Sequence, residues 1–401
     1  MKSIFNAGND AQGDCLVTFT AQENSPLEIC IESDVQALYG DAIKAKAAKV
    51  CRFFAIESGR LFIRDRSALD FVITARIEAC IRQCLKTDKE YLLPMIPENR
   101  YPSSRKRLRL SRLYLPGNTP KMMINAGLHR PHGIILDLED SVSIDKKEEA
   151  RLLVRNTLCR VDFYGAERMV RINQLPMGLA DLVQVIPHGV HVILIPKCES
   201  GDAVEAVNSE IETVKAEKGL DGEIFLMPII ENSKGVINAA AIAAAGTNII
   251  ALTIGLEDYT ADLGIQRTPD GSESFYARSH LVNVCKAYGL QAIDSVFSDV
   301  ADLNGLKENV RRSKALGFEG MGCIHPRQIK TVHEGYAPDA AEIERAQKII
   351  LAFESARQKG LGVVSLGTKM IDKPVVERAQ RTIELAIALN RISRDWNKEN
   401  V

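Results

Sequence analysis

Residues 133–140 read GIILDLED: an apolar run, Gly133–Leu138, that stops on two adjacent carboxylates, Glu139 and Asp140. A short apolar run closed by charge is the pattern of a strand buried on both faces. The pattern recurs along the chain at Arg112–Pro116, Arg168–Ile172, His191–Pro196, Ile224–Ile230, Asn248–Ile254, Leu290–Ile293 and Met321–Ile324. At or just past these ends stand Arg171 and Asn173, Lys197, Glu231, Glu257 and Asp258, Asp294, and His325. Apolar strands alternating with helical periodicity predict an α/β fold, a (β/α)8 TIM barrel. In such barrels the reacting groups sit where the strands end. A rim of carboxylates with one Arg and one Lys suits a divalent cation and an anionic substrate.

A barrel takes about 250 residues, so a chain of 401 leaves room for further domains. Residues 1–88 read as a small α+β module. Leu16–Phe19 and Leu27–Ile31 form strands around a polar turn. Val35–Phe54 is an amphipathic helix, Leu61–Arg64 a strand and Leu69–Leu85 a second helix. A linker, 89–109, is marked by Pro94, Pro97 and Pro102, and its basic run Arg105–Arg109 reads as solvated. The barrel spans 110–335. Residues 336–401 read as a helical hairpin, Ala340–Lys359 and Lys373–Trp396, joined by a turn with Gly360, Gly362 and Gly367. Such a hairpin serves either as a lid or as an oligomerisation arm.

The formal net charge of −1 gives no electrostatic footprint for nucleic acid or an anionic membrane. No apolar run nears the ~20 residues of a membrane span, and no signal-peptide core opens the chain. Nine cysteines without a CxxC pair fit reduced thiols and a cytoplasmic location. The HxxH pairs His129/His132 and His188/His191 lack the HExxH zinc spacing and read as loop or edge histidines.

Glu231 and Asp258 follow consecutive strands and so are neighbours on the rim. Two carboxylates without His or Cys suit Mg²⁺; alternatively one of them caps its helix. The Arg171 fork suits a substrate carboxylate or an enolate oxygen. It equally suits a structural pair with Asp137, Glu139 and Asp140. Lys197 is either an imine-forming lysine, which needs an apolar pocket, or a charged partner of Glu139 or Asp140; the carboxylates around it favour the second. His325 is expected to make a structural hydrogen bond, and Cys323 to be buried.

These motifs together resemble the citrate lyase beta subunit family, with its malyl-CoA and citramalyl-CoA lyases. They are YLPGN at 114–118, ILDLEDSV at 135–142, VRIN at 170–173, PKCES at 196–200, ENSKG at 231–235, GLED at 255–258 and GCIHP at 322–326. The resemblance implies a Mg²⁺-dependent barrel that cleaves a 3-hydroxyacyl-CoA thioester of the citryl or malyl type into a keto acid and an acyl-CoA. Glu231 and Asp258 would ligate the metal, and Arg171 would hold the keto acid. Glu139, Asp140 and Lys197 would line the substrate site, and Arg109 or Arg112 would meet the CoA phosphate. KMIDKP at 369–374 resembles the family's lid motif, making Asp372 an acid/base group that reaches a neighbouring subunit in a homotrimer. A thioesterase on the same site, or a non-catalytic subunit beside an alpha-type partner, are the alternatives.

Residues 1–88 resemble the citrate lyase acyl carrier protein through DCLVT at 14–18 and DRSALDFVITARIEA at 65–79. That carrier holds its CoA-derived group on a serine of a Ser-Ser pair before an Asp. Here Gln12-Gly13 precede Asp14, and neither has a hydroxyl. Ser3 and Ser25 are the substitutes on offer and lie off the motif; the resemblance therefore implies a carrier fold kept as a docking or assembly module, without a prosthetic group, beside a barrel that uses either free acyl-CoA or a carrier in another chain.

Overall fold

The computed structural model describes residues 3–22, 25–358, 364–366 and 369–397. The chain divides into two compact units, Met1–Ile329 and Lys330–Val401.

The first unit opens with β1 (Ile4–Ala7), β2 (Cys15–Thr20), β3 (Glu28–Ser33), α1 (Gln36–Phe53), β4 (Arg60–Asp65) and α2 (Asp70–Cys84). The sheet order is β1-β2-β4-β3, with β3 parallel to β4 and the other pairs antiparallel. Sequence reading placed β2 and β3 around one turn. In the structure β4 lies between them, and α1 is the crossover of a β3-α1-β4 unit. A parallel pair needs such a crossover. Strand β1 was not foreseen: with four residues, three of them exposed or half-buried, it carries little apolar signal.

Next come β5 (Ser111–Pro116), α3 (Pro120–Met123), β6 (Gly133–Asp137), α4 (Lys147–Arg160), β7 (Glu167–Arg171), α5 (Met177–Val185), β8 (Val192–Ile195) and α6 (Gly201–Lys218). They are followed by β9 (Phe225–Ile230), α7 (Ser233–Ala244), β10 (Ala251–Ile254), α8 (Leu256–Asp262), α9 (Phe275–Ala287), β11 (Gln291–Asp294), α10 (Leu303–Leu316), β12 (Gly320–Cys323) and α11 (Arg327–Tyr336). Strands β5 to β12 pair in parallel, each with the next, and β12 closes on β5. This is the TIM barrel the sequence predicts. Its interior is filled by Ile135, Met169, Val192, Leu194, Phe225, Met227, Ile229 and Ile293, so the barrel is a packed core with its cavity at one end.

Helix α4 is buried from Glu149 to Cys159, and α2 from Phe71 to Ile81. A helix hidden on every side is clamped between two layers; α2 packs both on its own sheet and on α4. Residues 85–110 run along the barrel. Asn99 donates to the carbonyls of Leu158 (3.1 Å) and Val161 (2.7 Å), and Tyr101 donates to that of Ala166 (2.6 Å).

The second unit holds α12 (Ala340–Gln358), the hairpin β13 (Val364–Leu366) and β14 (Lys369–Ile371), and α13 (Lys373–Ala388). Its core joins Ile343, Ile350, Ile371, Val376 and Ile383. Helix α13 stops at Ala388, short of the expected Trp396. Asn390 turns left-handed (φ 54°), and the amides of Asn390 and Arg391 fold back onto the carbonyls of Ile387 (2.9 Å) and Ala386 (2.8 Å). Asn tolerates that conformation and closes a helix end. Lys359, Gly360, Gly362 and Gly367 lie outside the described residues. No described helix is long and apolar enough to cross a membrane.

Candidate active site at the barrel rim

A cavity of about 760 Å³ opens where the barrel strands end, lined by Tyr114, Asp137, Asp140, Arg171, Glu231, Asp258, Asp294 and His325 among others. Strand β7 carries Arg171 to its tip. Its guanidinium binds Asp137 at the end of β6 with two bonds, Nε at 2.6 Å and Nη2 at 2.8 Å. It also reaches Glu139 at 2.9 Å and Asp140 at 3.2 Å, above the Tyr114 ring. Burial alone would push the Asp137 carboxyl up, but the two Arg171 bonds outweigh it and hold the group below its usual range. Both readings of Arg171 are thus compatible: it pairs within the protein and still lines the cavity.

Glu139 is 4% exposed. It is held by Arg171, by Lys197 Nζ at 3.2 Å and by the Gln174 amide at 2.9 Å, so it braces the two cations rather than facing a ligand. The Lys197 ammonium also lies 3.7 Å from Asp140 and 3.8 Å from Asp258. Burial lowers the Lys197 pKa, but these carboxylates more than offset it, so the lysine is held charged. That disfavours an imine role, as the sequence suggested.

The Lys197 backbone is as informative as its side chain. Its φ is 46°, a left-handed conformation uncommon outside glycine. In it the Lys197 amide donates to Glu231 Oε1 at 2.6 Å. Strain of this kind is retained where the surrounding structure demands it, often at working sites. Nothing in the sequence announces it.

Glu231, at the end of β9, is 3% exposed. Burial is the main cause that pushes its carboxyl up to about 8; the Lys197 amide opposes this, and the Asp258 charge adds to it. Asp258 sits in the first turn of α8 and is 41% exposed at its side chain. Its neighbour Glu257 turns instead to Arg267 at 2.6 Å. Gly255, just before α8, leaves room for Glu231: a Cβ there would lie 2.5 Å from Oε2 and 2.8 Å from the Glu231 Cβ. A buried carboxylate against a bare glycine, beside a second, more open carboxylate, is a hard-oxygen donor pair. It fits a Mg²⁺ ion whose remaining ligands are water and substrate. Among the described residues no group of three or more His, Cys, Asp or Glu side chains forms a cage.

Asp294 ends β11 and is clasped by Arg278; Ser295 beside it accepts from the Leu256 amide at 3.1 Å. His325 Nδ1 accepts from the Arg327 amide at 3.1 Å, the structural bond expected. Cys323 is buried and its thiol is pushed up to about 12 by that burial, as expected of a core cysteine. His188, in a one-turn 3₁₀ helix, and His191, just before β8, are at a loop and a strand edge as expected, but both are buried, 7% exposed.

Arg109 corrects the sequence reading. It is fully buried before β5, at the opposite end of the barrel from the cavity. It is paired to the equally buried Glu167 at 2.7 Å and bonds Gln291 at 2.7 Å. It closes the barrel floor and has no path to a CoA phosphate; nor is the basic run wholly solvated. Arg112 is also fully buried, but its side chain lies within the barrel and lines the cavity floor. Tyr114 was missed as a site residue although it opens YLPGN. It lines the cavity under Arg171, and an aromatic on an apolar strand reads as core. Asp372 lies in the second unit, where its carboxylate caps α13 by accepting from the Val375 amide at 3.2 Å.

Comparison with known proteins agrees with this picture. Residues 110–326 match the HpcH/HpaI aldolase/citrate lyase family, and residues 3–84 match an acyl carrier family described as the malonate decarboxylase delta subunit. The citrate lyase beta subunit of Leuconostoc mesenteroides subsp. cremoris is 40% identical over 73% of this chain and 97% of its own length. The mitochondrial citramalyl-CoA lyase of Homo sapiens is 33% identical over 75% of this chain and 93% of its own. The crystal structure of CitE from Mycobacterium tuberculosis, in complex with magnesium, acetoacetate and coenzyme A, is 28% identical with a TM-score of 0.59. The match covers 71% of this chain and 99% of that one. A barrel whose rim gathers these residues, matched over more than half its length, places the chain in the HpcH/HpaI aldolase/citrate lyase family.

Proposed function

We propose that this chain is a Mg²⁺-dependent carbon–carbon lyase acting on a 3-hydroxyacyl-CoA thioester of the citryl, malyl or citramalyl type. The observation that carries the reading is the Glu231–Asp258 pair, one carboxylate buried and one open, beside the Arg171 guanidinium in one cavity. Its relatives include citrate lyase beta subunits, citramalyl-CoA lyases and an L-malyl-CoA/beta-methylmalyl-CoA lyase.

Glu231 and Asp258 would hold the cation, which when bound would supply charge to acidify the substrate hydroxyl and to orient its carboxylate. Arg171, pinned by Asp137, offers its remaining N–H groups to the same carboxylate and holds the keto acid as it forms. Glu139 and Asp140 keep Arg171 and Lys197 in place. Retro-aldol cleavage removes the hydroxyl proton to a base. The C–C bond electrons pass to the thioester as an enolate, which then takes a proton at carbon. The thioester is required because its enolate costs far less than a carboxylate's. Asp372, from a neighbouring subunit of a homotrimer, is the acid/base group of this reading, and the second unit is its lid. The N-terminal module carries no prosthetic group, because Gln12 and Gly13 have no hydroxyl. A cytoplasmic enzyme, with or without an alpha-type partner subunit, is consistent with this chemistry.

The test is cleavage of citryl-CoA, malyl-CoA and citramalyl-CoA with and without Mg²⁺, read by mass spectrometry, for the wild type and E231A. Keto acid plus a shortened acyl-CoA, lost in E231A, is expected. Free CoA with an intact hydroxy acid would replace the lyase by a thioesterase, and undiminished E231A activity would remove Glu231 from the metal site.

A further inference from the structure

The N-terminal module is seated on the barrel as a fixture. Helices α2 and α4 pack on one another along a seam, and with their other neighbours this leaves eleven consecutive residues of each helix buried. Parting the seam would leave buried charged groups of both helices without their partners. Ion pairs set its register. Arg76 of α2 bonds Asp14 through two N–H groups, at 2.9 and 2.7 Å, and lies 3.4 Å from Glu149 of α4. Glu149 also accepts from the Gly8 amide at 3.0 Å. Further along, Glu78 of α2 receives both Nη groups of Arg155 of α4, at 3.0 and 2.6 Å. Asn156 of α4 donates to the Phe71 carbonyl at 3.0 Å. Asp14, Arg76, Glu78 and Arg155 are each no more than 1% exposed.

The seam ends at the cavity. Arg76 donates to the Asn118 carbonyl, just past β5, at 3.2 Å. Lys121 of α3 donates to Gln12 at 2.8 Å, and a Cβ on Gly13 would come within 3.4 Å of the Lys121 Cβ. Lys121 and Met122 line the cavity and are exposed, so they belong to its mouth. The module therefore covers the barrel surface beside the entrance, and the loop that does so is Ala11–Asp14.

This module has an acyl carrier fold. We infer that it permanently occupies the place on the barrel where an acyl carrier would present its cargo, so that the cavity takes its acyl group as a free CoA thioester and not from a carrier protein in trans. The module cannot deliver cargo itself, having no hydroxyl at Gln12 or Gly13 and no freedom to leave for loading. A second carrier of the same fold would compete for a surface already filled within the chain. The inference rests on the lyase reading for the word cargo, but the seating of the module stands apart from it.

The experiment presents one 3-hydroxyacyl group to the full-length chain with Mg²⁺ in two forms, as the CoA thioester and on a separately purified acyl carrier protein bearing its prosthetic arm. The expected kcat/KM is at least ~100-fold higher for the CoA form. Comparable or better use of the carrier-borne form overturns the inference. Cleavage of neither form rejects the lyase reading, and calorimetric titration of the carrier into the chain then decides alone: no complex supports the inference, a micromolar complex overturns it. Hydrogen exchange on the full chain tests the seating directly. The α2 amides are expected to exchange as slowly as those of β6 and β7; exchange ~100-fold faster would show a module that opens on its own and would also overturn it.

Discussion

Glu231 lays its carboxylate over Gly255, with Oε2 where a side chain on that residue would begin, 2.5 Å from the missing Cβ. The backbone of Gly255 has φ −108°, which any residue adopts, so the glycine is there for space and not for conformation. Gly255→Ala is expected to displace the Glu231 carboxylate and lower kcat/KM by roughly 100-fold or more, since about 1 Å of misplacement costs that much. The melting temperature should move by a few degrees at most. Steady-state kinetics beside a melting curve checks this, and an active G255A would show that the carboxylate position is unimportant.

Arg171 holds Asp137 by two parallel bonds while its third nitrogen faces Glu139 and Asp140. A lysine keeps the charge and loses the fork. Arg171→Lys should lower kcat/KM by roughly 100-fold, with KM for the keto acid in the reverse direction rising, because charged hydrogen bonds of this kind contribute about 1.5–3 kcal/mol. Isothermal titration of the keto acid into R171K is the direct measurement. Wild-type affinity would confine Arg171 to its structural pair.

Arg109 and Glu167 close the opposite end of the barrel. Arg109→Met strands a buried carboxylate, which costs about 3–5 kcal/mol. Chemical denaturation should show that loss, while KM for the acyl-CoA stays within twofold of wild type in the folded fraction. A selective rise in KM, with stability intact, would restore Arg109 to CoA binding.

His188 and His191 are buried neutral, their pKa values pushed down to about 4 and about 3, chiefly by burial. The backbone amide of Arg168 donates to His191 Nδ1 at 3.2 Å, and Nε2 lies 2.9 Å from both the Tyr101 carbonyl and Arg168 Nη2. Because the folded values lie below the unfolded 6.5, the unfolded chain takes up these protons first. The stability they contribute is complete above pH 6.5 and is lost as the pH falls from there toward 4 and 3. By pH 5 each histidine should account for about 2 kcal/mol. Glu231 acts in the opposite sense in the metal-free protein, since its raised pKa favours the folded state as pH falls from about 8. The comparison is therefore made in E231Q: urea midpoints at pH 8 and pH 5, with and without His191→Gln. Equal midpoints at the two pH values would contradict it.

The barrel was legible because each parallel strand is buried on both faces, so GIILD at 133–137 carries an unbroken apolar signal, and because the chemistry follows where that signal stops. Arg171, Glu231, Asp258 and Asp140 could be named for that reason, and the structure lines one cavity with them. The parts that escaped act through backbone or through absence. The left-handed Lys197, whose amide steers Glu231, looks like any lysine in sequence, and Gly255 matters for an atom it lacks. Tyr114 and Arg109 mislead in opposite directions: an aromatic that reads as core faces the cavity, and an arginine that reads as a surface contact sits at the centre of the floor. Topology within the N-terminal sheet was illegible because adjacency in sequence favoured a hairpin, whereas β4 returns to separate its two candidates.

Helix α4 belongs to the barrel by sequence position, yet the side it turns to α2 carries Glu149, Arg155 and Asn156, each buried and each held by a partner in the N-terminal module. A gene trimmed to encode the lyase half alone would uncover that flank and leave Glu149 and Arg155 without the groups that fix their positions. The two halves thus stand as one compact unit, and shedding the front one would demand new partners for the charged positions of α4.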